Sequence, residues 1–322
     1  MTGGIDASMN LLRLLSAAAI VVVLLTAGCA RDRPIVKTKE AASDDEELGR
    51  EHYGNGEFQK ALTFFQRALA ENRRVGHFEG TALDLRKIAL VYLQFGLLDN
   101  AEKVLNEARS ISVRIDDRSG EADALLILAT VRSRREQYDE ALKLLEESYG
   151  LFDEDGNETG AASALNNMGL LALRRGDVET AENQIDDAIA IQKRKKNHTG
   201  LAAAYSNKGF LLEHQGKGEL ALSYYNLALE EDRFMENSLG ISSDLNRIAE
   251  YHLNRGELEE ALFYYMRALD VNRELNMIGR MKSDLKSITG ILEDLGRDEE
   301  RDRYREALRE LEKVPPPVID TR

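Results

Sequence analysis

The sequence predicts an all-α fold, a solenoid of about seven antiparallel helix pairs. Three observations predict it. No proline stands between Pro34 and Pro315, and so long a stretch without one reads as helix, because proline breaks helix interiors and favours turns and sheet edges. Glycines recur on a forty-residue grid, at Gly56, Gly96, Gly176, Gly216, Gly256 and Gly296, and on a second grid at Gly80, Gly120, Gly160, Gly200 and Gly240. Alanines keep the same period, at Ala61, Ala101, Ala141, Ala181, Ala221 and Ala261, and again at Ala68, Ala108, Ala188, Ala228 and Ala268. A fixed period of this length marks stacked supersecondary units.

Each unit can be taken apart in that register. The first glycine grid marks the turn after the unit's first helix, where a left-handed residue ends a helix at little steric cost. The second helix follows, as in GEFQKALTFFQRAL and GELEEALFYYMRAL. Its alanines fall seven apart on one face, where two helices approach closely. Phe65, Leu105, Leu145, Ile185, Tyr225 and Tyr265 stand beside them and fill the layer. A polar grid, Asp117, Asn157, Asn197 and Asn237, precedes the next unit, with Ser119, Thr159 and Thr199 two residues further on. Either series could accept the free backbone N–H groups of a helix start. Unit three departs from the pattern with Arg135-Glu136 at its inner turn and Ser148 at an alanine site. The last unit, LGRDEERDRYREALRELEK, shifts by one residue and turns charged, which suits a terminal helix with a wet outer face. The array is expected over 44–312, with an extended tail over 313–322.

Composition excludes several function classes. Hydrophobic residues make up 43% and charged ones 31%, the balance of a folded chain. Net charge is −14, which argues against a nucleic-acid partner, since phosphate binding needs a basic face. The single cysteine, Cys29, excludes an internal disulfide framework and a thiolate metal cluster. No catalytic, metal or phosphate-loop motif is present, so no cofactor or metal is expected. His52 and His252 lie five whole units apart and share one repeat position, a packing position held elsewhere by Tyr92, Leu212 and Leu292. Asp153-Glu154-Asp155-Gly156-Asn157 is only faintly like a calcium loop, with its glycine misplaced. The many Asp and Glu residues are expected on helix exteriors, without the convergent acids of a cell-wall or glycan-acting enzyme.

The N-terminus carries an address. Arg13 precedes an uncharged apolar run, Leu14 to Ala27, which ends in Leu25-Thr26-Ala27-Gly28-Cys29. A basic residue, a short apolar segment and small residues at its end make a secretory signal, and the run is short for a membrane span of about 20 residues. The segment resembles the lipobox of bacterial lipoproteins. That resemblance implies a signal peptide over 1–28, acylation of Cys29, a linker over 29–43 and attachment to a membrane through lipid. Ala30, in place of the Asp that retains enteric lipoproteins in the inner membrane, implies the periplasmic face of the outer membrane. Met9 offers a second possible start, giving MNLLRLLSAAA.

The body, with small and large residues holding their places through units such as ALNNMGLLALRRGDVETAENQIDDAI (Ala164 to Ile189), resembles the tetratricopeptide repeat family in its forty-residue subclass. The resemblance implies a right-handed superhelix whose first helices line a concave groove. It places on that groove Arg86, Asn166, Asn167, Asn207, Asn246 and Arg247, with Leu170 and Phe210 one turn later. Asparagine offers both a donor and an acceptor, so it can pair with a peptide backbone whatever its side chains. The function implied is an envelope scaffold that binds a protein or peptide partner, not an enzyme. A self-assembling structural array is the other alternative.

Overall fold

The computed structural model describes residues 38–314. Cys29, the apolar run before it and the tail from Pro315 onward lie outside the described residues, and with them the expected signal peptide and acylation site. Every element among the described residues is a helix. The order is α1 (38–54), α2 (Phe58–Arg74), α3 (Phe78–Gln94), α4 (Leu98–Arg114), α5 (Arg118–Arg134), α6 (Tyr138–Glu154) and α7 (Glu158–Arg174). There follow α8 (Val178–Lys195), α9 (His198–His214), α10 (Gly218–Phe234), α11 (Ser238–Asn254), α12 (Leu258–Glu274), α13 (Ile278–Asp294) and α14 (Asp298–Glu312). They form seven antiparallel pairs, α1–α2 through α13–α14. No helix among the described residues is long and apolar enough to cross a membrane.

Residues 38–43, read from the sequence as linker, belong instead to α1. Their polar composition concealed a helix whose contacts are mostly polar. Ala42 is buried, Arg74 donates to Thr38 Oγ1 at 2.8 Å, and Asp45 pairs with Arg67 at 3.1 Å.

The turn inside each unit is closed by two backbone bonds. In the first unit, Glu57 N–H donates to the His52 carbonyl at 2.8 Å and Gly56 N–H to that of Tyr53 at 3.1 Å. This is the paired arrangement that satisfies the last carbonyls of a helix. Unit three keeps the same geometry without glycine: Glu136 takes φ +62°, at a cost of roughly 1–2 kcal/mol for a residue with a Cβ.

Between units, the helix starts of α5, α7, α9 and α11 are capped by Asp117, Asn157, Asn197 and Asn237. They accept from Gly120, Gly160, Gly200 and Gly240 N–H at 2.9, 3.0, 3.3 and 3.3 Å. The hydroxyl series plays a supporting part, with Thr159 Oγ1 donating to Asn157 Oδ1 at 3.0 Å. Glycine stands at the third helical position because the preceding helix ends against it. A Cβ at Gly160 would lie 2.4 Å from the Phe152 ring.

The core is strung along the array as successive clusters. Ala61, Ala101, Ala141, Ala181, Ala221 and Ala261 have no exposed surface, and Phe65, Leu105, Ile185 and Tyr225 are buried beside them. Burying one such large side chain stabilises by about 1.5–3 kcal/mol. α14 buries no residue completely. It lays Tyr304, Leu308 and Leu311 on the final cluster and leaves its other face to water, as a terminal cap must. Successive odd-numbered helices touch, α3 with α5, α5 with α7 and α7 with α9, while even-numbered helices make no comparable contact with one another. The odd helices therefore lie on the inside of the curve.

Candidate functional site

The odd-helix face is the surface on which the sequence-predicted residues fall, and the structure uses them in three ways. Arg86 on α3 is half-buried, 3.4 Å from the Gly120 carbonyl and 3.7 Å from Asp123 of the next unit. It ties two units together. Asn166 on α7 and Asn207 on α9 are both buried, and Asn207 Nδ2 donates to Asn166 Oδ1 at 3.1 Å. These two amides hold each other. Asn167 and Leu170 are half-buried on the same stretch of α7.

The remaining three come together in units five and six. The Arg247 guanidinium lies over the Phe210 ring, 5.4 Å from its centroid, and 6.0 Å from that of Tyr225, a stacked arrangement that suits a planar cation. Asn246 and Arg247 then line an inner cavity of about 330 Å³ between α11 and α13, together with Ser243, Glu250, Arg280, Ser283 and Asp284. Asn246 bonds to the Asp284 carboxylate, and its own Oδ1 is buried without a partner. Among the described residues neither Arg247 nor Arg280 closes an ion pair, although Glu250 lies in electrostatic range of Arg247 and Asp284 of Arg280. Arg280 donates instead to the Leu239 carbonyl at 3.1 Å and to Ser243 Oγ at 3.0 Å. Burial pulls the Arg280 guanidinium down from its ordinary value and pushes the Glu250 and Asp284 carboxyls up. A second cavity, of about 310 Å³, opens on the outer side between α2 and α4 over Leu85, Ile88 and Tyr92, and its rim residues Arg73 and Glu107 pair with each other.

Sequence reasoning missed Arg280, Ser283 and Asp284. One signal was available: Arg280 stands where Gly80, Gly120, Gly160, Gly200 and Gly240 stand in the other units. The expectation that acids lie only on helix exteriors is corrected as well. Asp84, Asp244 and Asp284 are buried at one repeat position. Asp84 accepts from Asn72 at 2.8 Å and Asp284 from Asn272 at 2.6 Å, while Asp244 shares a hydrogen bond with the buried Asp232. Burial pushes Asp84 up to about 7. Burial, with the Asp232 carboxylate beside it, pushes Asp244 up to about 8. Buried carboxyls stay near neutral or find donors, and these do both. His52 and His252 repeat one geometry, each ring bonded to a glutamate, Glu57 or Glu257, and stacked on Phe64 or Tyr264. No group of three or more His, Cys, Asp or Glu among the described residues is arranged to hold a metal.

Four overlapping matches to the tetratricopeptide repeat family model cover residues 80–154, 120–194, 160–230 and 200–274. The chain belongs to the tetratricopeptide repeat family. No curated protein is similar enough in sequence to count as a relative. Among solved structures, a Rap protein complexed with Competence and Sporulation Factor is similar at a TM-score of 0.64 and 17% identity, over 84% of this chain and 74% of that one. A Rap conjugation gene regulator of the plasmid pLS20, in complex with a peptide, is similar to the same degree, with a TM-score of 0.64, 17% identity and coverage of 84% and 74%. Aspartyl phosphate phosphatase F from Bacillus subtilis has a TM-score of 0.61 and 14% identity, over 91% of this chain and 76% of that one. At such identities the likeness is one of fold.

Proposed function

We propose that this protein is a lipid-anchored scaffold of a bacterial envelope that captures a protein or peptide partner on the inner face of its solenoid. The observation that carries the reading is the cavity between α11 and α13. It presents a buried acceptor without a donor, Asn246 Oδ1, beside two guanidiniums, Arg247 and Arg280, whose nearby carboxyls Glu250 and Asp284 lie in electrostatic range without closing an ion pair. A peptide N–H would satisfy that acceptor, and a peptide carbonyl or carboxylate would meet Arg247 or Arg280. Asn167, Leu170 and Phe210 extend the same face toward units four and five. A solved structure of similar fold holds a peptide, which supports the reading by analogy.

The test places a photoreactive amino acid at Ser283, in the cavity, or at Lys103, in the outer one. Capture of one partner at Ser283 and not at Lys103, in intact envelopes, is the expected result, and the reverse pattern sinks the proposal. Asn246→Ala should weaken that capture by about tenfold, the equivalent of one good hydrogen bond of about 1.4 kcal/mol.

The anchor rests on the apolar run ending at Gly28-Cys29 and on the lone cysteine. Cys29→Ser should abolish labelling by a fatty acid and leave an unprocessed precursor. Equal labelling of the mutant would remove the anchor from the proposal. Two or more acyl chains give stable attachment, since each buried methylene contributes about 0.8 kcal/mol. Of the possible destinations, Ala30 favours the periplasmic face of the outer membrane.

A further inference from the structure

The two ends of the array meet. A Cβ on Gly56, in the α1–α2 turn, would lie 2.7 Å from the Leu275 carbonyl oxygen and 2.8 Å from Leu275 Cβ, in the α12–α13 turn. Leu275 is 5% exposed, whereas Met235, at the same turn position one unit earlier, is 45% exposed. Leu239 and Met277 pack against the hydrophobic cluster of the first units, which includes Phe58, Phe95 and Leu97. The Gly56–Leu275 contact joins residues more than five units apart, so the array closes one full turn of the superhelix.

The geometry of the seam says how the turns stack. Gly56 lies at the end of its unit where the first helix hands over to the second. Leu275 lies at the opposite end, where one unit hands over to the next. Opposite ends of the helix pairs therefore meet end-on, and the rise per turn is about one 17-residue helix, roughly 25 Å. The two turns touch directly at this seam. Just inside it, side chains of several units converge. Gln94 donates to Tyr53 Oη at 3.0 Å, Arg134 donates to the Leu93 carbonyl, and Arg280 lies within electrostatic range of Tyr53 and Arg134.

We infer that the inner face is a closed channel that admits an extended, unfolded peptide segment along its axis and excludes a folded domain, with the Gly56–Leu275 seam holding it shut. The inference rests on inner-face capture and adds the physical form of the partner. A folded domain could reach Ser283 or Asn246 only if the seam opened.

Two pairs of variants test the seam. Leu275→Asp puts a charge into it, and Met235→Asp puts the same charge at the equivalent exposed turn. Gly56→Ala adds a Cβ against Leu275, and Gly96→Ala adds one at the same positive φ with nothing within 4 Å. With helicity retained by circular dichroism, Leu275→Asp and Gly56→Ala should enlarge the radius of gyration in X-ray scattering, and the two controls should not. Scattering curves that all superimpose on the unmodified protein would overturn the closed seam.

The partner's form is tested by locking the seam with Gly56→Cys and Leu275→Cys in a Cys29→Ser background. Their Cβ atoms need separate by only about an ångström to reach disulfide geometry. Photocapture at Ser283 should be equal in the oxidised and reduced protein. Capture by the reduced form alone would mean that the partner enters through an open seam and is not a threaded segment. No capture in either form, by a probe that also fails in the unmodified protein, would overturn inner-face binding itself, and the scattering result would still decide the seam.

Discussion

The joints between units fall into two kinds at one repeat position. In the middle of the array, buried Ala124, Ala164 and Ala204 of the incoming helix and buried Ser112, Phe152 and Gln192 of the outgoing one hold the two repeat positions of the joint. Toward the ends, aspartates stand in the alanine position: Asp84 faces Asn72, Asp244 faces Asp232, and Asp284 faces Asn272. Helix starts vary with this at the first and last joints, while the Asp244 joint keeps a cap at Asn237. The middle joints have side-chain caps at Asp117, Asn157 and Asn197, while the first and last joints begin with His77 and Met277, which make no cap bond. The same backbone joint is thus packed either around a buried alanine or around a buried carboxyl and its hydrogen-bond partner. The second kind is costly to break, because removing one partner strands a buried polar group. It is also sensitive to pH.

The largest effect should come from forcing the end-joint chemistry on a middle joint. Ala164→Asp would bury a carboxyl against the Phe152 side, with no donor supplied, and should destabilise by about 3–5 kcal/mol in denaturant unfolding. A loss under about 1 kcal/mol would show that water or rearrangement relieves the site and that the two kinds of joint are interchangeable.

Next comes pH. The folded state holds Asp84 and Asp244 protonated to about 7 and about 8, above the ordinary unfolded value near 4. Their contribution is therefore complete below about pH 4 and lost as pH rises through 7 and 8. For Asp84 alone the loss is on the order of 4 kcal/mol across that window. Stability measured from pH 5 to 8.5 should fall, and Asp84→Asn together with Asp244→Asn should flatten the slope. A slope unchanged by both substitutions would locate the pH dependence elsewhere.

Single partners rank below this. Asn72→Ala should cost about 1–3 kcal/mol by stranding Asp84, and adding Asp84→Ala should recover most of it, since the joint then resembles the middle ones. Thermal or denaturant midpoints of the single and double variants are the readout. The smallest effects separate the helix starts: Asn157→Ala should cost about 1 kcal/mol, and a smaller cost is expected for His77→Ala, because His77 makes no cap bond.

The candidate site was legible in part. Asn246, Arg247 and Phe210 share one face by repeat register, and the structure brings them together. Asn166 and Asn207 share that face too, yet they lie close enough to hydrogen-bond each other across two units. Register alone could not tell an amide that awaits a partner from one that already has it, because both occupy neighbouring positions on the same helix face.

The sequence by itself determined the nearest-neighbour physics of this protein. The forty-residue period, the capping residues at Asp117, Asn157, Asn197 and Asn237, and the alternation of Ala221 with Tyr225 each concern groups within one unit or its neighbour, where spacing along the chain sets spacing in space. The tertiary structure alone decided what meets across five units. The contact of Gly56 with Leu275 and the approach of Arg280 to Tyr53 depend on small rotations summed over every joint. No local pattern encodes that sum, so residues with the same repeat address, Met235 and Leu275, end up one in water and one in a seam.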